Sequence, residues 1–198
     1  MIRDDLSNRL IHLTKGSFAD AEAVFNKIIQ EKCLRGSNSS IRGGHNVICF
    51  SEAPLSKLGL ILANPNAKDM RYMPFGFMFE KEYLFNLGAR PAIYQPNSEF
   101  DLLYQEQQFR HVRFEPEKGI DWTWEREWRL QTDELPLDST DVTLIVPDRD
   151  WVAQAHERHH DELVSASIAL KELAPMFIGQ FEWHFIGLSD LGFEIPKA

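Results

Sequence analysis

The 198-residue chain is 43% hydrophobic and 12% aromatic, which suits one domain over residues 1–198 with a substantial core. Its formal charge of −9 argues against broad electrostatic adhesion to a phosphate backbone, although Lys32, Arg35 and Arg42 leave room for a local basic groove. No apolar run is long enough to cross a bilayer, the opening Met1-Ile2-Arg3-Asp4-Asp5 has acids where a secretory signal carries basic residues, and Cys33 and Cys49 do not make a disulfide framework, so a cytoplasmic protein without a membrane partner is expected.

Leu10-Ile11-His12-Leu13-Thr14 alternates as a strand with His12 and Thr14 on one face. Gly16-Ser17 breaks it, and Ser17 is placed to cap a helix over residues 18–32 whose apolar stripe is Ala21, Val24, Phe25, Ile28 and Ile29. Residues 35–46, rich in Gly, Ser and Asn, read as a loop. Val47-Ile48-Cys49-Phe50 reads as a buried strand that stops at Ser51-Glu52-Ala53-Pro54, and Pro54 sits at the first turn of a helix with apolar Leu55, Leu58, Ile61 and Leu62. Asn64-Pro65-Asn66 is expected to end that helix. Strands are expected at 75–79 and 92–94, joined by a turn at 86–91, with a helix over 99–110. Residues 142–146 give the clearest strand signal, closed by Pro147, followed by a helix from 150 to 173 broken near 159–161 and a last strand at 182–186. Six or seven short strands with three or four helices, clustered rather than alternating, predict an α+β fold.

The stretch Asp121-Trp122-Thr123-Trp124-Glu125-Arg126-Glu127-Trp128 reads with period two. A strand here places Glu125 and Glu127 side by side, about 7 Å apart, with three indoles on the opposite face. Alone, such a pair is an ordinary solvated edge. Together with His12 and Thr14, the hydroxyl of Ser51 and the ring of Tyr94, it supplies what metal-free binding of a dinucleotide and stabilisation of an oxocarbenium-like ribose require.

Other chemistries fare worse. His156-Glu157-Arg158-His159-His160 matches H-E-x-x-H, but its variable positions are polar and its neighbours charged, so a solvated helix face is expected and no metal. Cys49 lies inside an apolar strand, where burial quenches a thiol, and Cys33 has no placed base. The glycines do not form a phosphate-cradling loop.

These residues resemble the ADP-ribosyltransferase superfamily. Leu10-Ile11-His12-Leu13-Thr14 is similar to its first-strand His motif, Val47-Ile48-Cys49-Phe50-Ser51-Glu52-Ala53-Pro54-Leu55 to the second-station motif of DarT-type toxins, and Glu125-Arg126-Glu127 to its Glu-x-Glu. Residues 48–55 together with Glu127-Trp128-Arg129 also look like AbiGi-type abortive-infection proteins. The resemblance, over residues 8–147, implies a split β-sheet core and NAD as cofactor. It implies that His12 contacts the adenosine ribose or the nicotinamide amide, with Thr14 beside it, and that Ser51 braces the nicotinamide side. Tyr94 would stack on the ring, with Tyr72 and Tyr104 as competitors, and Arg42 would hold the pyrophosphate or take part in catalysis, as a loop arginine does in the DarT-type enzymes. Glu127 would bind the ribose 2′-hydroxyl and stabilise the cation, and Glu125 would orient or deprotonate the acceptor. The arginine-modifying branch carries Arg where this chain has His12, and a Ser-Thr-Ser triplet where this chain has Ser51-Glu52-Ala53, so the acceptor, protein or nucleic acid, stays open. A toxin or phage-defence effector, with an antitoxin as possible partner, is the leading expectation. A non-catalytic antitoxin or sensor on the same scaffold is the rival, and a zinc hydrolase at His156 and His160 is a distant third.

Overall fold

The computed structural model describes residues 5–62, 72–169 and 182–195. A seven-stranded sheet runs in spatial order β11 (His184–Gly187), β10 (Val142–Val146), β4 (Tyr72–Glu80), β1 (Arg9–Lys15), β3 (Val47–Ser51), β8 (Glu127–Gln131) and β5 (Arg90–Pro91). Its pairings are antiparallel except β10 with β11. Parallel neighbours need a crossover, and helix α4 (Arg149–Ala169) lies in that connection. Two small sheets flank it: β2 (Cys33–Arg35) with β9 (Glu134–Pro136), and β6 (Ile93–Gln95) with β7 (His111–Arg113). With α1 (Phe18–Glu31), α2 (Leu55–Leu62) and α3 (Lys81–Asn86), the fold class is α+β.

Alternation along the strands sorts the side chains into two clusters. On one face, Phe75, Phe77 and Phe79 of β4, Leu10 of β1, Ile48 and Phe50 of β3 and Trp128 of β8 meet α1 through Ala21 and Phe25 and α4 through Trp151 and Ala155. The Phe25 ring lies 4.9 Å from Phe77 and 5.4 Å from Trp151, centroid to centroid, within the range where aromatic pairs add to burial. On the other face Ile11, Leu13 and Ile145 pack with Ala53 and Leu58 beside α2. On that face the positions of β3 and β8 are Cys49, Ser51, Glu127 and Arg129, so the sheet changes from apolar to polar toward that edge.

Helices α1 and α2 form where the apolar stripes place them, and the Ser17 hydroxyl caps α1 by accepting from the Asp20 amide at 3.2 Å. Other elements differ. α3 precedes the turn expected at 86–91 and fills residues for which no element is expected; six residues with only Leu84 buried carry too little periodicity to announce it. The helix expected over 99–110 is two 3-10 turns, Asn97–Leu102 and Gln105–Arg110, separated by extended Leu103. α4 continues through 159–161, where the polar residues need no break. The ends expected at Asn64-Pro65-Asn66 and at residues 170–173 lie outside the described residues. No helix among the described residues is long and apolar enough to cross a membrane, and Cys33 and Cys49 are free.

Gly76 of β4 faces the residues that carry His12. A Cβ there would stand 2.7 Å from Leu13 Cδ2 and 2.8 Å from the His12 carbonyl oxygen, so only glycine lets the two backbones come this close. Gly76→Ala is expected to cost about 1–3 kcal/mol, read as a lowered urea midpoint; an unchanged midpoint would show that β1 and β4 separate without penalty.

Candidate functional site

The turn before β8 arranges the acidic pair. Asp121 Oδ1 accepts from the Thr123 amide at 2.9 Å and from the Thr123 hydroxyl at 2.6 Å, which nucleates a 3-10 turn over Thr123–Glu125. Arg126 then takes a left-handed conformation at φ 47°, a choice that costs a non-glycine residue about 1–2 kcal/mol. It is held by an ion pair to Asp5 at 2.7 Å and by its carbonyl, which accepts from the Glu52 amide at 3.1 Å. The continuous strand expected across Trp122–Trp128 is therefore corrected: β8 begins only at Glu127. Trp122 and Trp124 are 39% and 40% exposed instead of sharing a buried face with Trp128. The Asp121-x-Thr123 pattern was the sequence signal for this break.

Glu125 and Glu127 nevertheless line one cleft. Its wide end, of about 480 Å³, is bounded by Arg42, Asn97, His111, Arg113 and Trp122. Its narrow end, of about 50 Å³, is bounded by Ile11, His12, Phe50, Ser51 and Leu58. Lys15, Cys49, Tyr72, Trp124, Glu125 and Glu127 border both ends and so form the neck.

His12 sits where the β1/β3 ladder has a single register pair, Ile11 with Ser51. Beyond that pair its Nδ1 lies 2.9 Å from the Cys49 carbonyl, and its ring is edge-on to Phe50 at 6.0 Å. A carbonyl only accepts, so Nδ1 carries the proton, and burial lowers the imidazole pKa and keeps the ring neutral. Nε2 is then a hydrogen-bond acceptor, suited to a hydroxyl.

Glu127 is 9% exposed and Arg129 5%. Arg129 Nε donates to Glu127 Oε1 at 2.7 Å, and its Nη1 donates to the carbonyls of Phe109 at 2.9 Å and His111 at 2.6 Å. The Glu127 amide donates to the Tyr94 hydroxyl at 2.8 Å. Glu125 accepts from the Tyr72 hydroxyl at 2.9 Å, while its carbonyl accepts from the Ser51 hydroxyl at 2.6 Å. Burial raises the Glu125 carboxyl above the usual range and Glu127 adds to this; the Tyr72 hydrogen bond opposes it. Burial and the Glu127 charge push the Cys49 thiol up to about 12, which makes it inert as a nucleophile.

The structure thus brings His12, Ser51, Arg42, Glu125 and Glu127 to one cleft and leaves two expected residues out. Thr14 is buried and donates to the Phe75 carbonyl at 3.1 Å, because strand alternation puts it on the Leu10 face, while Lys15, with Ile11 and Leu13, borders the cleft. Tyr94 braces Glu127 from its backbone side and does not line the cleft, Tyr104 is 78% exposed, and Tyr72 is the tyrosine at the neck. The basic groove divides: Arg35 pairs with Glu31 and Glu134, while Arg42 reaches the Asn97 carbonyl and lies 4.3 Å over the Phe100 ring. In the sequence Lys15 carries no signal, Tyr72 enters only as a competitor for stacking and Arg129 only within the Glu127-Trp128-Arg129 run, and their places in the cleft follow from strand pairing. His156, Glu157 and His160 are exposed on α4, and among the described residues no group of three His, Cys, Asp or Glu side chains is placed to hold a metal ion.

No family model, no curated protein and no solved structure matches the chain.

Arg129→Met leaves the Glu127 charge buried without its partner, at an expected cost of about 3–5 kcal/mol. Adding Glu127→Gln should return part of that loss, because a neutral amide needs no counter-charge. Guanidinium unfolding of the two single variants and the double variant checks this; strictly additive losses would show that the pair is not coupled.

Proposed function

We propose that the cleft binds NAD and that the chain is an ADP-ribosyltransferase acting on a protein or nucleic-acid acceptor, as a toxin or phage-defence effector. The observation that carries this reading is that His12 and Glu127, from separate strands, border the same narrow end. The wide end lies within the roughly 300–1,000 Å³ of small-molecule sites. Its donor set fits a dinucleotide: Arg42 and Lys15 for the diphosphate, exposed Trp122 and Trp124 for a base, and a neutral His12 acceptor for a ribose hydroxyl.

When bound, NAD supplies the bond between nicotinamide and ribose that breaks. Glu127, fixed by Arg129 and Tyr94, is oriented to accept from a ribose hydroxyl and to stabilise positive charge developing on that sugar. Ser51 holds the turn carrying Glu125 against the end of β3, keeping the second carboxylate beside the first. Trp124 covers the neck and limits access of bulk water.

The Glu127–Arg129 ion pair favours one other reading, a non-catalytic antitoxin or sensor in which Glu127 is structural. Purified protein incubated with adenine-labelled NAD, alone and with lysate, separates the two. Transfer of label is expected, and Glu127→Gln should reduce it by at least about 100-fold while leaving the fold intact, since the amide oxygen still accepts from Arg129. Neither nicotinamide release nor NAD binding in the wild-type protein would establish the binding-module reading instead.

A further inference from the structure

We infer that Tyr72 is a positioning residue for Glu125, tying Oε2 so that Oε1 is the atom that takes a proton from the acceptor. This rests on the transferase reading. Tyr72 opens β4 opposite Lys15 and borders both ends of the cleft, so its hydroxyl stands at the neck. The hydroxyl donates to Glu125 Oε2 at 2.9 Å. Among the described residues Oε1 makes no hydrogen bond and no buried polar side-chain atom lacks a partner, so Oε1 is open to the cleft.

The rest of the carboxylate's surroundings agree. The Ser51 hydroxyl pins the Glu125 carbonyl, so the backbone below the side chain is held, and the Tyr72 bond removes the remaining rotation of the carboxylate. Burial and the neighbouring carboxylates push the Tyr72 phenol far above its ordinary range, so it stays a donor at every pH where Glu125 titrates. The charged and titratable groups facing Glu125 are Lys15 from β1, Cys49 from β3, Tyr72 from β4, and Glu127 and Arg129 from β8. Lys15, the pairing partner of Tyr72 across the strands, rests its Nζ 4.8 Å from the centre of the Tyr72 ring and so helps to hold the ring. In the transfer, the acceptor's electron pair forms the new bond to the ribose carbon. The nicotinamide leaves with the pair of the broken bond, and the acceptor's proton moves to Oε1.

Tyr72→Phe tests this, because it keeps the ring under Lys15 and deletes one oxygen. The lost hydrogen bond favours the ionised carboxylate, so its removal must raise the pH at which Glu125 titrates. Carbon-13 NMR of glutamate-labelled protein, with Glu125→Gln assigning the signal, reads that midpoint without any need for activity. The expected result is a higher midpoint in the Phe variant, with the acidic limb of the transfer-rate profile moved the same way. Below the midpoint transfer should fall about tenfold, the loss of one hydrogen bond to a charged group, with KM for NAD unchanged and a smaller deficit persisting at alkaline pH, where Glu125 is ionised in both proteins but no longer held. An unmoved midpoint in an active enzyme overturns the inference alone, as does a transfer profile identical to wild type. A moved midpoint in a protein that transfers nothing even as wild type overturns the transferase reading and the proton-accepting role with it.

Discussion

The buried pair of Glu127 and Arg129 is the constraint on which the cleft depends. Two charges in the sheet interior are tolerable only when their remaining hydrogen-bonding capacity is met. Arg129 meets its share on the Phe109 and His111 carbonyls, which draws the end of the second 3-10 turn and the start of β7 over β8. His111 and Arg113 thereby become part of the wide wall. Removing the pair would cost that wall the two hydrogen bonds by which Arg129 holds it to β8.

Around the pair, each cleft residue is delivered by a local departure from regular strand geometry. The register shift after Leu13 brings Tyr72 opposite Lys15 at the cleft wall. The one-pair ladder between β1 and β3 opens the space in which His12 reaches the Cys49 carbonyl. Left-handed Arg126 reverses the chain so that Glu125, from a turn, and Glu127, from a strand, border the same neck. Irregularity of this kind concentrates where side chains must be aimed rather than merely packed. The opposite face of the sheet, filled by Phe25, Phe75, Phe77 and Trp151, supplies the rigidity that holds these departures in place.

The electrostatics of the cleft differ from those of the whole molecule. A chain of charge −9 repels anions at long range, yet the neck and wide end expose Lys15, Arg42 and Arg113 beside the carboxylate pair. Glu115, with its own carboxyl held down to about 2 by Arg113, Lys118 and the Asn97 amide, anchors the segment behind that wall. Close-range cations at a partly enclosed neck act where screening is weak, so a phosphorylated ligand can be held locally despite the net charge.

The sequence by itself determined the α+β class, the strands around Val47–Ser51 and Val142–Val146, and helices α1 and α2, because hydrophobic period, capping by Ser17 and the placement of Pro54 are local signals. It also singled out His12, Ser51, Glu125 and Glu127. Tertiary structure decided which of the candidates share a cleft. That Tyr72 stands opposite Lys15 depends on a shift in the β1/β4 register, that Tyr72 meets the Glu125 carboxylate and Tyr94 the Glu127 amide depends on how β4 and β6 are placed, and Arg129 finds its Phe109 and His111 acceptors only once β7 and the turn before it lie over β8. Those are contacts between residues far apart in the chain, whose energies depend on burial and register that no local pattern encodes.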